Sequence, residues 1–175
     1  MIVSDLTPFQ TVGPYFAILP LAGEAAAATE KAVGRAILIT GTVRDGLGAI
    51  VPDALIESWQ ADPNGRFDTC DETFRGFARA PTDASGQFEI RTVMPGPIAD
   101  GHAPHVLLSV LARGVLTRLV TRVYFPGEKA NGTDPILALV PVPRRATLIA
   151  ELASENHYRF DIVLQGPGET VFFDV

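Results

Sequence analysis

The chain has 175 residues, 47% of them hydrophobic and 19% charged, enough to bury one domain-sized core without disulfide staples. Its 14 Lys and Arg stand against 20 Asp and Glu, a net charge of −6, which argues against nucleic acid and anionic membrane surfaces as partners. A single cysteine, Cys70, excludes an internal disulfide and a multi-thiolate metal site. The opening MIVSDLTPFQ carries Asp5 and no sustained apolar run, and no stretch approaches the ~20 apolar residues of a membrane span, so a soluble cytoplasmic protein is expected.

In chain order, AGEAAAATEKAVG (Ala22–Gly34) is alanine-rich and weakly amphipathic and predicts a helix. RAILITGTVRD (Arg35–Asp45) reads as a strand ending at the turn signal DGLG, and DALIESWQAD (Asp53–Asp62) as another ending at DPNG. GQFEIRTV (Gly86–Val93) alternates Phe88 and Ile90 against Gln87, Glu89 and Arg91, the period of a strand with one buried face. HVLLSVLARG (His105–Gly114) and TRLVTRVYF (Thr117–Phe125) meet around Arg113-Gly114, a hairpin signal. RATLIAELASEN (Arg145–Asn156) sets Leu148, Ile149 and Leu152 on one helical face, and YRFDIVLQG (Tyr158–Gly166) is the last clear strand. Six or more strands punctuated by Gly and Pro predict a mainly β chain, an antiparallel β-sandwich with short helices, in a single domain over 1–175.

Most familiar chemistries find no motif. No G-x-G-x-x-G or Walker loop offers a phosphate cradle, and no G-x-S-x-G elbow is present. Cys70 lies among Asp68, Asp71 and Glu72, which would disfavour its thiolate, so it reads as an incidental loop cysteine. DGHAPHVLLS (Asp100–Ser109) pairs His102 with His105 at a strand entry, half of a metal site; iron or zinc needs further ligands from elsewhere. His157 stands without a motif and reads as a surface or edge histidine.

Several stretches, taken together and in order, resemble the intradiol ring-cleaving dioxygenases. They are QTVGPYF (Gln10–Phe16), GTVRDGLGAIVPDALIESWQADPNGRF (Gly41–Phe67), GQFEIRTVMPGP (Gly86–Pro97), APHVLLSVLARG (Ala103–Gly114), RLVTRVYF (Arg118–Phe125) and YRFDIVLQGPGETVFFDV (Tyr158–Val175). The resemblance implies a β-sandwich that works as a hetero-oligomer of related alpha and beta chains. It implies Fe(III) held in the beta subunit by two tyrosinates and two histidines, where a catechol dianion is opened with O2 between its hydroxyl-bearing carbons. Hard ferric iron prefers the anionic oxygen that phenolate supplies.

Carried onto this chain, that ligand set is degenerate. The two tyrosine positions fall on Phe67 and Ile98, and the H-x-H pair on His105 and Leu107. His102 falls outside the set, and Arg122 stands where catalytic chains carry glutamine; a guanidinium beside Fe(III) is unfavourable. The resemblance therefore implies an iron-free alpha-type subunit with no catalytic residue or metal of its own. Its N-terminal arm, about residues 1–34, would contact the partner chain. Gly13, Pro14 and Tyr15, stiffened by the Gly-Pro pair, and Arg113, able to meet a carboxylate by charge-assisted hydrogen bonds, would help bind a carboxylated catechol in the beta subunit's pocket. The apolar end, Val171, Phe172, Phe173 and Val175, needs cover from its own core or another subunit. Two other readings stand beside this one: a non-catalytic binding or structural β-sandwich without an enzymatic partner, and a stand-alone metalloenzyme using His102, His105 and a carboxylate such as Asp100.

Overall fold

A computed structural model of the protein describes residues 25–68 and 71–174. Its strands are β1 (Ala36–Arg44), β2 (Leu55–Gln60), β3 (Phe77–Pro81), β4 (Gln87–Val93), β5 (His105–Leu111), β6 (Leu119–Tyr124), β7 (Glu151–Ser154), β8 (His157–Arg159) and β9 (Ile162–Val163). One sheet runs β4-β1-β8-β7, with β9 also paired to β1; the other runs β3-β2-β5-β6. Alternation drives both. In β1 the buried positions are Ile37, Ile39, Gly41 and Val43, and in β4 they include Phe88 and Ile90. These meet Ile56, Val106, Leu108 and Val110 of the facing sheet, with Phe160 and Ile162, in one apolar core. The expected β-sandwich is the fold found. The second sheet is antiparallel throughout, whereas in the first β1 pairs parallel with β8 and β9.

Both predicted helices are corrected. Ala22–Glu24 lie outside the described residues, and from residue 25 the alanine-rich stretch makes isolated bridges at Ala26 and Ala28 and then turns at Thr29–Ala32. The Ala27 amide donates to the Arg91 carbonyl (2.9 Å) and the Thr29 amide to that of Thr73 (2.8 Å). A short isolated helix is marginal, so hydrogen bonds to β4 and the 71–76 loop, with Ala27 and Ala28 buried there, outweigh alanine's propensity. In Arg145–Asn156 the helical face is a coincidence of spacing. A single turn, α2 (Val142–Arg145), passes through a 3₁₀ turn at Ala146–Leu148 into β7. Leu148 is buried, but Leu152 is exposed on that edge strand. Asn156 (φ 61°), a residue type that tolerates the left-handed region, closes the β7–β8 hairpin.

Sequence reading also passed over α1 (Pro135–Leu139), though its start carries a clear signal. Asp134 caps it, accepting from the Ile136 and Leu137 amides, and Pro135 opens it. The helix lies in a second apolar cluster with Tyr124, Leu137, Val140 and Leu148, against which Val171 and Phe173 pack. The C-terminal residues Val171, Phe172 and Phe173 thus pack half-buried on their own chain. The Phe173 amide donates to the Val120 carbonyl (2.8 Å), and Thr121 Oγ1 to that of Val171 (2.8 Å). Val175 lies outside the described residues.

Candidate functional site

Because Val106, Leu108 and Val110 of β5 face the sandwich core, His105 and Leu107 point to the sheet's outer face. Register then assembles a row across four strands. Phe77 opposes Trp59, Trp59 opposes Leu107, and Leu107 opposes Arg122, with His105 opposite Tyr124 two positions along.

Two loops wall off this row. In the DPNG turn, Asp62 Oδ1 accepts from the amides of Asn64 (2.8 Å) and Arg66 (2.9 Å), which winds the turn tightly. Gly65 sits at φ 78°, and a Cβ there would lie 2.0 Å from the Pro97 carbonyl oxygen. Only glycine lets the DPNG turn lie directly on the MPGP turn. That contact delivers Phe67 from one loop and Ile98 from the other to the same place.

Phe67, Ile98, His105 and Leu107 all line one cavity of about 340 Å³, together with Trp59, His102 and Arg122. The four positions implied by resemblance are therefore neighbours in space. Their chemistry does not fit ferric iron. Phe67, Ile98 and Leu107 carry no donor atom. His105 Nδ1 donates to the Ala103 carbonyl (2.8 Å), so Nε2 is the ring's acceptor. Burial pushes the His105 pKa down to about 4, against the pull of the Ala103 hydrogen bond; the Arg122 charge lowers it further, and the ring is neutral at pH 7.

The neighbouring phenol is also unavailable as an anion. The Tyr124 hydroxyl donates to Asp134 Oδ1 (3.0 Å) and accepts from Arg122 Nη1 (3.4 Å), and burial pushes its pKa up to about 12. Asp134 has no exposed surface. Burial works against its charge, but hydrogen bonds from the Leu137 and Ala103 amides, the Tyr124 hydroxyl and the Ile136 amide outweigh it and hold its pKa below the usual carboxylate value. Its oxygens are committed to these donors and to packing α1 against β5. Among the described residues no three or more of His, Cys, Asp and Glu gather as metal ligands. His157 belongs to the other sheet, where its Nε2 bonds Thr40 Oγ1 (2.8 Å).

Arg113 lies elsewhere. It sits in the β5–β6 hairpin loop, its side chain 68% exposed, with Nε 2.8 Å from Asp53 Oδ2. Four strand residues, as far as Leu111, and part of the hairpin loop separate it from Leu107, on the order of 15 Å. It cannot serve this chain's pocket and is presented outward. Gly13, Pro14, Tyr15 and Cys70 lie outside the described residues. Trp59 and the Tyr124–Asp134 pair were missed by sequence reading. The alternation of β2 and β6 carried the signal for Trp59 and Tyr124, while nothing local announced Asp134's partners.

This sandwich and pocket define a protein class. The family described as Dioxygenase matches residues 12–166, and the chain belongs to the intradiol dioxygenase family. It is 46% identical to the protocatechuate 3,4-dioxygenase alpha chain of Burkholderia cepacia over 97% of both chains, and 42% identical to that of Pseudomonas putida over 96% of both. It is 35% identical to the beta chain of the Burkholderia cepacia enzyme, over 79% of this chain and 68% of that one. Among solved structures, the dioxygenase domain of a dioxygenase carbohydrate-binding protein fusion from Streptomyces sp. SirexAA-E aligns with a TM-score of 0.68 at 30% identity, covering 93% of this chain and all of that one.

Proposed function

We propose that this chain is the alpha subunit of a protocatechuate 3,4-dioxygenase. In this reading it is an iron-free partner that completes the pocket of a beta subunit, where Fe(III) supports cleavage of 3,4-dihydroxybenzoate (protocatechuate) with O2 to 3-carboxy-cis,cis-muconate. One observation carries the reading: the positions implied by the family's ligand set meet at one cavity but bear Phe67, Ile98 and Leu107 with His105 alone, while His102 and Arg122 line the cavity outside that set. Near full-length similarity to two alpha chains supports it.

Within the assembly the arm of about residues 1–34 reaches the beta chain, bringing Gly13, Pro14 and Tyr15 to the substrate pocket. Arg113 extends from its hairpin to the same pocket, its guanidinium held by Asp53 and directed at the substrate carboxylate. The enzyme is cytoplasmic, and among the described residues no helix is long and apolar enough to cross a membrane.

The test is expression of the chain with and without a beta-type chain, followed by metal analysis and O2 uptake on 3,4-dihydroxybenzoate. The pair should bind iron and turn over, and the lone chain should do neither. Stoichiometric iron and turnover in the lone chain would overturn the subunit reading. Failure of the two chains to associate would favour the non-catalytic module.

A further inference from the structure

The cavity that cannot hold iron is still built as a ligand site. Arg122 lines it half-buried, and among the described residues it forms no ion pair; its hydrogen bond there is the long one to the Tyr124 hydroxyl (3.4 Å). A guanidinium has five N–H donors, so most of its capacity is unused. His102 adds a buried Nδ1 without a hydrogen bond, 3.6 Å from Asp134 Oδ2. Trp59 and Phe67 stack at 6.1 Å and 5° between rings, yet each is 41% exposed, although large aromatics are normally well covered. Ile98 and Leu107 supply apolar walls, and the volume of about 340 Å³ is in the range of small-molecule sites.

We propose that this pocket is a second, metal-independent site for a small aromatic carboxylate. The carboxylate is taken by Arg122 in a charge-assisted, bidentate pair, and the ring lies against Phe67, Trp59 and Ile98. Recognition here depends on the acid group. Ring hydroxyls, which a metal would require, contribute little. The site is separate from the pocket to which Arg113 is directed, and it goes beyond the subunit reading because it needs no beta chain.

Trp59 is the chain's single tryptophan, so its fluorescence reports occupancy of this pocket directly. The full chain is titrated with benzoate, catechol, 3,4-dihydroxybenzoate and sulfate, by tryptophan fluorescence and by calorimetry. Benzoate should give a saturable change, and 3,4-dihydroxybenzoate should bind within about threefold of it. Catechol and sulfate should each bind about tenfold more weakly, lacking the anion or the ring. Arg122→Met and, independently, the cavity-filling Ile98→Phe should each weaken benzoate at least about tenfold, while Arg122→Lys retains part of the affinity. Circular dichroism checks that each variant is folded. No saturable response to benzoate up to about 10 mM would overturn the proposal. So would sulfate or catechol matching benzoate, or benzoate binding unchanged in both Arg122→Met and Ile98→Phe. None of these outcomes bears on whether the chain associates with a beta subunit.

Discussion

At the scale of single residues, Arg113 and His105 show how position sets the use of a side chain. Arg113 is largely exposed and pre-oriented by Asp53, remote from its own chain's pocket. Arg113→Ala in the assembled enzyme should lower kcat/KM for 3,4-dihydroxybenzoate about tenfold or more and leave iron content unchanged. Steady-state kinetics and metal analysis on the same preparation check both halves. His105 is buried as a neutral ring, its pKa moved down from 6.5 to about 4. The unfolded chain therefore binds the extra proton first as pH falls. The stability tied to the neutral ring is fully present above pH 6.5 and is lost as pH drops toward 4, on the order of 3 kcal/mol in all. Urea midpoints across pH 7 to 4 should fall, and His105→Gln should flatten that slope.

At the scale of elements, strands were legible where one face is buried and the other is not. GQFEIRTV gave β4 because Phe88, Ile90 and Thr92 alternate with exposed partners. The β5–β6 hairpin was legible from Arg113-Gly114 between two apolar runs. Ala22–Gly34 and Arg145–Asn156 misled because helical spacing is cheap to find by chance in alanine- and leucine-rich stretches. The partner of the first, β4, lies far along the chain, and the second is drawn into the β7–β8 hairpin instead of a helix. The turns do the most for the site. Gly65 lets two loops touch, so Gly65→Ala faces both a left-handed φ and a clash with the Pro97 carbonyl. It should cost about 2 to 3 kcal/mol in denaturant unfolding and weaken any ligand held between Phe67 and Ile98.

At the scale of the whole molecule, the intradiol dioxygenase fold here encloses a cavity whose walls at Phe67, Ile98 and Leu107 offer no metal donor. If the pocket geometry is intact, metal chemistry can be introduced. Phe67→Tyr, Ile98→Tyr and Leu107→His with Arg122→Gln would join His105 as two phenolates and two imidazoles at one cavity. That combined variant should purify with close to one iron per chain, whereas the native chain carries less than about a tenth, read by metal analysis. An iron-free outcome in a folded variant would mean that the loops, and not only the ligand identities, have diverged.

The sequence by itself determined the sandwich class, because strand periodicity and Gly-Pro punctuation are local properties. It also determined that Phe67, Ile98 and Leu107 can offer no metal donor, because their side chains lack donor atoms in any fold. Only the tertiary structure decided that these positions share one cavity, since register aligns Trp59, Leu107 and Arg122 and a glycine contact joins two loops distant in sequence. It also decided that His105 is neutral, that Tyr124 and Asp134 are spent on each other, and that Arg113 faces away from the pocket. Burial and long-range pairing set those properties, and neither is written in any single stretch of the chain.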